Sequence, residues 1–220
     1  MTRVKVCGVT RIDDALLAAE LGAAAIGFVF WPGSPRCIEP SRAREIVSAL
    51  PPLVATVGVF VDQPVDDMRR IAEQAGLSAI QLHGREPAAV ARRLLQPVIK
   101  AVAVTPAFVP ESIDAWPDDV TVLLDAHDPV KRGGTGRTID WSLAAAAAAR
   151  RPVFLSGGLT PANVGDAIER VRPYGVDLSS GVESAPGVKD PAKLRALFLA
   201  ARADTVLHER PEWSGPSSSA

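Results

Sequence analysis

Cysteine and histidine are scarce in this chain, which has two cysteines and three histidines among its 220 residues. Two cysteines are too few for a disulfide framework or a four-cysteine zinc site, so a reducing cytoplasm is the simplest compartment. His127 and His208 fall in a predicted loop and a predicted tail. A metal-dependent epimerase would need His and Asp ligands on several strands, and the chain offers too few histidines for one.

Long apolar runs and an excess of charge are lacking as well. No apolar stretch approaches the roughly 18 residues of a membrane helix, and the N-terminus shows no basic-then-apolar signal pattern. The net charge of -1 gives no broad basic surface for nucleic acid. Because 47% of the residues are hydrophobic and only 22% are charged, the chain can bury a sizeable core. We expect a soluble, cytoplasmic protein without nucleic-acid or membrane partners.

Short β-branched runs alternate with Ala- and Leu-rich stretches of helical period along the chain. The runs are almost continuously apolar, as in strands buried on both faces, and strand–helix alternation indicates a parallel sheet. Eight such units predict an α/β fold, a single-domain (β/α)8 TIM barrel over residues 1–205, with an open doubly wound sheet as the alternative. Residues 206–220 are rich in Pro, Ser and Gly and are predicted to form a flexible tail.

Several local signals predict where helices begin and end. Thr10 and Asp13 have capping-box spacing at the start of the first helix, and Gly22 can close it. Asp140 precedes the stretch WSLAAAAAAR as a predicted N-cap. After the fifth strand, TPAFVPESIDAWPDD carries three prolines and predicts a poor helix, since proline lacks the N–H that a helix interior needs.

Polar side chains recur at the ends of predicted strands, and in a barrel these ends share one mouth. Cys7 ends the first strand, where it can be a buried apolar side chain, a disulfide partner, a metal ligand, or a nucleophile or base. Asp125 follows an apolar run, where a carboxylate is costly unless it is paired or functional. Arg36, in the loop FWPGSPR, can fork onto a carboxylate or a phosphate. Gln81 and His83 end the fourth strand as candidate lining residues, and His83 is more typical of a hydrogen-bonded structural residue than of a catalyst.

The last two predicted strands end in glycine-bearing turns. Loops after strands seven and eight often bind phosphate in this fold, because glycine lets backbone N–H groups approach an anion and a helix N-terminus adds a favourable dipole. Either turn alone is a weak signal. Together they predict a phosphate site formed by Gly157, Gly158, Ser179, Ser180 and Gly181.

The segment GGTGRTIDW joins the sixth strand to the following helix. It lacks the Gly-Lys-Ser/Thr ending of a P-loop, so a nucleoside triphosphate is not expected. A mobile flap over the site is the better interpretation, with Gly134, Thr135 and Gly136 as candidate lining residues.

Eight motifs follow one another along the chain, namely KVCGVTR, GFVFWPGSPR, VGVFV, IQLHG, LLDA, GGTGRTIDW, LSGGLTPANV and VDLSSGVES. In this order and spacing the sequence resembles the phosphoribosylanthranilate isomerases of the tryptophan pathway, over about residues 3–203. The resemblance implies a (β/α)8 barrel and an Amadori rearrangement. The implied substrate is N-(5-phosphoribosyl)anthranilate, and the implied product is 1-(2-carboxyphenylamino)-1-deoxyribulose 5-phosphate.

The same resemblance implies a role for each candidate residue. Cys7 is the general base, Asp125 the general acid, and Arg36 the partner of the anthranilate carboxylate, while the two glycine-bearing turns hold the phosphate of a small-molecule substrate. No metal and no organic cofactor is expected. Cys37 stands where a larger residue is expected, which leaves its contribution open. A free thiol titrates near ~8.5, so the means by which Cys7 becomes basic enough is also open.

Rival functions differ from this one in single features. A related isomerase of histidine synthesis, or an enzyme that serves both pathways, resembles this chain in fold but uses an Asp as base where Cys7 stands. A decarboxylating barrel needs a strand-end lysine, and Lys100 in VIKAVAV is the residue to check. A non-catalytic phosphate-binding barrel would lack the acid or the base. No exposed apolar stripe stands out, so we expect a monomer, with a homodimer as the alternative.

Overall fold

Eight parallel strands close into a barrel in this computed structural model, which describes residues 2–126 and 139–203. Neighbours in the chain pair with each other, and the first strand also pairs with the eighth. The predicted (β/α)8 barrel is therefore confirmed, and its closure excludes the open sheet. The strands are β1 (Arg3–Val6), β2 (Ala25–Val29), β3 (Ala55–Phe60), β4 (Ala79–Leu82), β5 (Val98–Val104), β6 (Thr121–Ala126), β7 (Val153–Leu155) and β8 (Gly175–Leu178).

Helices follow most strands, and the connections after β4 and β5 are the least helical. A four-residue helix follows β4, and a 3-10 helix follows β5, so the poor helix predicted from three prolines is confirmed. A short antiparallel hairpin, which the sequence pattern did not predict, comes after β8. These elements are α1 (Ile12–Glu20), α2 (Pro40–Ala49), α3 (Val65–Ala75), α4 (Ala88–Ala91), η1 (Pro110–Ala115), α5 (Trp141–Ala148), α6 (Val164–Val171), η2 (Ser180–Val182), the hairpin strands β9 (Glu183–Ala185) and β10 (Val188–Lys189), and α7 (Pro191–Ala203).

The alternation of side chains along β1 separates the barrel interior from the layer beneath the helices. Successive side chains of a strand point to opposite faces. Val4 and Val6 belong to the main hydrophobic core, which includes buried residues of the surrounding helices. Lys5 and Cys7 lie on the opposite face, inside the barrel, and Cys7 packs in a separate small cluster. The strand thus carries a cation and a thiol into the interior, one above the other.

The capping box predicted at Thr10 and Asp13 is wrong. Helix α1 follows Arg11, which makes no side-chain capping hydrogen bond. The hydroxyl of Thr10 donates instead to the carbonyl oxygen of Gly187, at 2.6 Å. A contact between residues 177 positions apart has replaced the local cap.

The N-cap predicted at Asp140 is confirmed. Its carboxylate accepts hydrogen bonds from the backbone N–H groups of Ser142 and Leu143, which have no partner inside the first turn of α5.

Two predicted features lie outside the described residues. They are the flap with Gly134, Thr135 and Gly136, and the tail, residues 206–220. Within the ranges that the structure describes, every helix is too short or too polar to cross a membrane.

Candidate active site

A cavity of about 400 Å³ lies at the carboxyl ends of the barrel strands. This volume is within the range of small-molecule sites, about 300–1,000 Å³. The structure brings ten of the predicted site residues together around it. They are Cys7, Arg36, Gln81, His83, Asp125, Gly157, Gly158, Ser179, Ser180 and Gly181.

Cys7 stands at the end of β1, on an apolar wall of the cavity. Its thiol is free, and the residue is 7% exposed, in contact with Val29, Val59 and Trp31. Burial raises the pKa of the Cys7 thiol, and the cation of Lys5 opposes that rise. A disulfide is therefore absent at this residue, while the thiol remains within reach of a molecule in the cavity.

Asp125, at the end of β6, is hydrogen-bonded to the predicted lining residues of β4. Its Oδ2 lies 3.0 Å from Nε2 of His83, and its Oδ1 accepts from the backbone N–H of Ala126 at 2.9 Å. Nδ1 of the same imidazole lies 2.8 Å from Nε2 of Gln81. With the amide donating to Nδ1, the neutral ring carries its proton on Nε2, which donates to the carboxylate. His83 therefore fits the expected hydrogen-bonded structural role and fixes the orientation of Asp125.

Arg36 is neither solvated nor free. Its Nε donates to Glu183 at 2.9 Å, and its Nη2 donates to the second carboxylate oxygen at 2.7 Å. The hydrogen bonds to Glu183 raise the pKa of Arg36. A guanidinium has five N–H donors, so three remain beyond this fork for a ligand in the cavity. Glu183 thus orients Arg36 and leaves the remaining N–H donors of the guanidinium available to a ligand.

Glu183 belongs to a buried ion network under the mouth of the cavity. Nζ of Lys189 donates to Glu183 at 2.8 Å, and also to the carbonyl oxygens of Cys7 and Ser179. Burial alone would raise the pKa of Glu183, but Arg36 and Lys189 outweigh it and hold that pKa below its ordinary value. The β9–β10 hairpin therefore ties the end of β1, the end of β8 and Arg36 into one unit.

The two glycine-bearing turns pack against each other beside the cavity. Gly157 and Gly158 have φ of 82° and 65°, left-handed values that favour glycine. A Cβ on Gly181 would lie 1.9 Å from the carbonyl oxygen of Leu159, so the turn after β8 fits against the turn after β7 only because that side chain is missing. Asn163, just before α6, donates to the carbonyl oxygen of Gly158 and so fixes the turn at the helix N-terminus.

Lys100 has no place in this site. Its Nζ donates to Glu86 and to the carbonyl oxygen of Gly84, both at 2.7 Å. Among the described residues that line the cavity there is no lysine. The strand-end amine that a decarboxylating barrel needs is therefore not provided by Lys100.

Four charged residues of the site were missed by sequence reasoning. Lys5 and Asp177 lie inside the runs VKVC and VDLSS, and Glu183 and Lys189 lie in the unpredicted hairpin. A charge at an inward position of an apolar strand, two residues before Cys7, was the one signal that could have found Lys5.

The closed barrel, with a thiol, a carboxylate, an arginine and two glycine-bearing turns around one strand-end cavity, defines the class as a TIM-barrel enzyme. The profile described as N-(5'phosphoribosyl)anthranilate (PRA) isomerase matches residues 4–200. The chain therefore belongs to the phosphoribosylanthranilate isomerase family of tryptophan biosynthesis, as its sequence motifs predicted.

Individual relatives agree over almost the whole chain. An N-(5'-phosphoribosyl)anthranilate isomerase of Geotalea uraniireducens (strain Rf4) is 48% identical over 202 residues, which is 92% of this chain and 99% of the relative. The isomerase crystal structure from Thermus thermophilus has a TM-score of 0.83 at 45% identity, and covers 92% of this chain and 99% of its own. The structure from Thermotoga maritima has a TM-score of 0.85 at 42% identity, and covers 92% and 100%.

Two further solved structures bear on ligand and assembly. One isomerase structure, with a TM-score of 0.82 at 41% identity, is a complex with reduced 1-(o-carboxyphenylamino)-1-deoxyribulose 5-phosphate; it covers 92% of this chain and 100% of its own. Another, at 40% identity with a TM-score of 0.82 and the same coverage, describes monomers generated from the dimeric isomerase of Thermotoga maritima. Relatives thus exist in both assembly states.

Proposed function

We propose that the protein rearranges N-(5-phosphoribosyl)anthranilate to 1-(2-carboxyphenylamino)-1-deoxyribulose 5-phosphate, with Cys7 as general base and Asp125 as general acid. The observation that carries the proposal is that the thiol and the carboxylate, from β1 and β6, line one cavity of small-molecule size. General acid–base catalysis needs both groups within hydrogen-bonding reach of a single bound substrate.

The reaction has two proton-transfer stages, and each fits one of these groups. Asp125 donates a proton to the ribose ring oxygen, and the bond from that oxygen to C1 breaks as the nitrogen lone pair forms a C=N bond. The Cys7 thiolate then removes the proton from C2, the electron pair left behind forms a C1=C2 double bond, and the C=N pair returns to nitrogen, which gives the enolamine. The enolamine tautomerises to the ketone by losing the hydroxyl proton at C2 and gaining a proton at C1. Substrate and product are isomers, so no oxidant or reductant is needed.

Binding of the two ends of the substrate is assigned to two parts of the cavity wall. Arg36, oriented by Glu183, offers its remaining donors to the anthranilate carboxylate. The turns after β7 and β8 offer glycine-rich backbone, beside the N-terminus of α6, to the phosphate. A bound phosphorylated analogue in a relative supports a phosphorylated ligand for this cavity.

The free cysteines support the proposed cytoplasmic location, and the proposed assembly state is a monomer. Both cysteines are free, and a cysteine base whose sulfur must stay unoxidised fits the reducing cytoplasm. The monomer stays the proposed state, as expected from a sequence without an exposed apolar stripe, and the homodimer is the alternative. Size-exclusion chromatography with light scattering tests this, and a mass twice that of the chain would contradict it.

The direct test of the function is loss of anthranilate-type fluorescence when the substrate is added to the purified protein. We expect turnover by the wild type and turnover lower by orders of magnitude in Cys7→Ala and Asp125→Asn, with unchanged circular dichroism. A barrel that only binds phosphate would bind the substrate without turnover. Faster conversion of the histidine-pathway aminoaldose would favour the sibling function instead.

A further inference from the structure

Directly below Cys7, a buried ion pair crosses from β1 to β8. The parallel register places Lys5 opposite Asp177, and Nζ of Lys5 donates to Oδ1 of Asp177 at 2.7 Å. The lysine is 0% exposed. The acid–base scheme above uses neither residue, although a buried charge pair inside a barrel is costly to desolvate.

The lysine ammonium reaches the thiol as well as the carboxylate. Lys5 and Cys7 are two residues apart on one strand, so both side chains enter the barrel interior on the same side. The ammonium of Lys5 lies close enough to the sulfur of Cys7 to lower the pKa of the thiol. A Cβ built on Gly27 of β2 would lie 2.8 Å from Sγ of Cys7 and 3.2 Å from Nζ of Lys5. The two groups thus meet in space that glycine leaves open on the neighbouring strand.

Among the described residues, two further cations near Cys7 are committed to different partners. Lys189 directs its ammonium to Glu183 and to the backbone oxygens of Cys7 and Ser179. Arg36 forks onto Glu183. An ammonium has three N–H donors, and one of those on Lys5 goes to Asp177, which leaves a donor for sulfur.

We propose that Lys5 is a positioning residue that stabilises the thiolate of Cys7 from beneath the cavity floor, and that Asp177 keeps Lys5 in place and charged. The inference rests on the proposed role of Cys7 as the base. The thiolate, stabilised by the ammonium, takes the proton from C2 of the substrate and becomes a thiol, while Lys5 keeps its own proton throughout.

The charge balance around the thiol agrees with this geometry. Burial raises the pKa of Cys7 on balance, which opposes thiolate formation, and Lys5 is the largest influence in the other direction. Burial would also lower the pKa of Lys5, but Asp177 and then Cys7 outweigh burial and raise it above the ordinary value, so the amine stays protonated. Removing the ammonium of Lys5 leaves burial and the Asp177 carboxylate, which both disfavour the thiolate, opposed by the more weakly acting Lys189.

The test is the pH dependence of Cys7 alkylation by iodoacetamide, followed by mass spectrometry in a Cys37→Ser background that removes the exposed thiol. In Lys5→Met we expect the midpoint of the alkylation profile to move up by at least about one pH unit. Near neutral pH this makes alkylation about tenfold slower. The kcat should fall with it, KM should change little, and activity should recover partly as pH rises. Lys5→Arg, which keeps the charge, should retain a profile closer to the wild type.

Lys100→Met is the matched control, because it also breaks a buried lysine–carboxylate pair at 2.7 Å but lies away from the cavity. It should lower thermal stability without moving the alkylation midpoint. If Lys5→Met does not fold, the same alkylation assay is applied to Lys5→Met/Asp177→Leu. This double variant leaves no unpaired buried carboxylate, which favours folding.

Two outcomes separate this inference from the proposed function. An unchanged alkylation profile in a folded Lys5 variant overturns the inference, even if Cys7→Ala is inactive. A shifted profile together with normal turnover by Cys7→Ala would leave the coupling of Lys5 to Cys7 standing and overturn the proposed function.

Discussion

The side of the cavity around Cys7 and the side around Asp125 are supported in different ways. The base side consists of Cys7 with Lys5 and Asp177, where an ammonium anchored by a carboxylate opposes the rise that burial causes in the pKa of the thiol. The acid side consists of Asp125 with His83 and Gln81, a chain of hydrogen bonds without a lysine or arginine among its described contacts. A thiol acts as a base only after losing its proton, and a carboxyl group acts as an acid only while holding one. In the proposed mechanism, the difference places a cation beside the group that must become an anion, and a chain of hydrogen bonds beside the group that must hold a proton.

Removing either reacting group should give the largest effect. Cys7→Ala and Asp125→Asn should each lower kcat by about 10²–10⁴-fold, the usual contribution of one acid or base. Since the two groups serve one reaction, the double variant should lose less than the product of the single losses. The fluorescence assay measures all three variants. If the loss in the double variant equals the product of the two single losses, the two groups act independently, which would contradict a shared role in one reaction.

Arg36 lines the same cavity as Cys7, and its removal should weaken substrate binding more than it slows turnover. Arg36→Ala should raise KM by about tenfold to a hundredfold, because it removes charged hydrogen bonds to a carboxylate worth about 1.5–3 kcal/mol. The kcat should fall less than KM rises. Steady-state kinetics across substrate concentrations test this, with Arg42→Ala, on the exposed face of α2, as the control. An unchanged KM would remove Arg36 from carboxylate binding.

His83 should matter less than the group it orients. His83→Asn should lower kcat by about five- to tenfold, since it removes one hydrogen bond of about 1–1.5 kcal/mol from Asp125. Gln81→Leu, one bond further from the carboxylate, should have a smaller effect. Comparison of the two kcat values provides the check. A loss in His83→Asn as large as that in Asp125→Asn would move the acid role to the imidazole.

The smallest effect should be the pH dependence of stability at Glu183. Its pKa in the folded protein lies below its ordinary value near 4.5, so the charged form contributes stability above that pH and loses it as pH falls through the folded pKa. The wild type should therefore be more stable than Glu183→Gln at neutral pH, and the gap should shrink on acidification below about 4.5. Urea unfolding at a series of pH values measures it. A gap that does not change with pH would contradict the network of Arg36, Glu183 and Lys189.

The strand pattern predicted the barrel, because eight apolar runs separated by helical stretches have few other arrangements. The same pattern concealed Lys5, since VKVC reads as one apolar run. Its partner Asp177 lies 172 residues away and becomes visible only through the register of β1 and β8. Thr10 was misjudged for a related reason: a distant carbonyl oxygen, and not its own helix, takes its hydroxyl.

The candidate site was predictable where chemistry lies at strand ends and hidden where it depends on tertiary contacts. Cys7, Arg36 and Asp125 stand in motifs that end strands or follow them. Glu183, which orients Arg36, lies in a hairpin of three- and two-residue strands, too short to leave a periodic signal.

The central claim is that Cys7 removes the proton from C2 of the ribose chain. The direct measurement uses substrate deuterated at C2 and follows the deuterium by mass spectrometry during turnover at saturating substrate. The wild type should release the deuterium with each turnover and show a primary isotope effect, while Cys7→Ala should retain it at the solvent background rate. Release of the C2 deuterium by Cys7→Ala at a rate near that of the wild type would contradict the account.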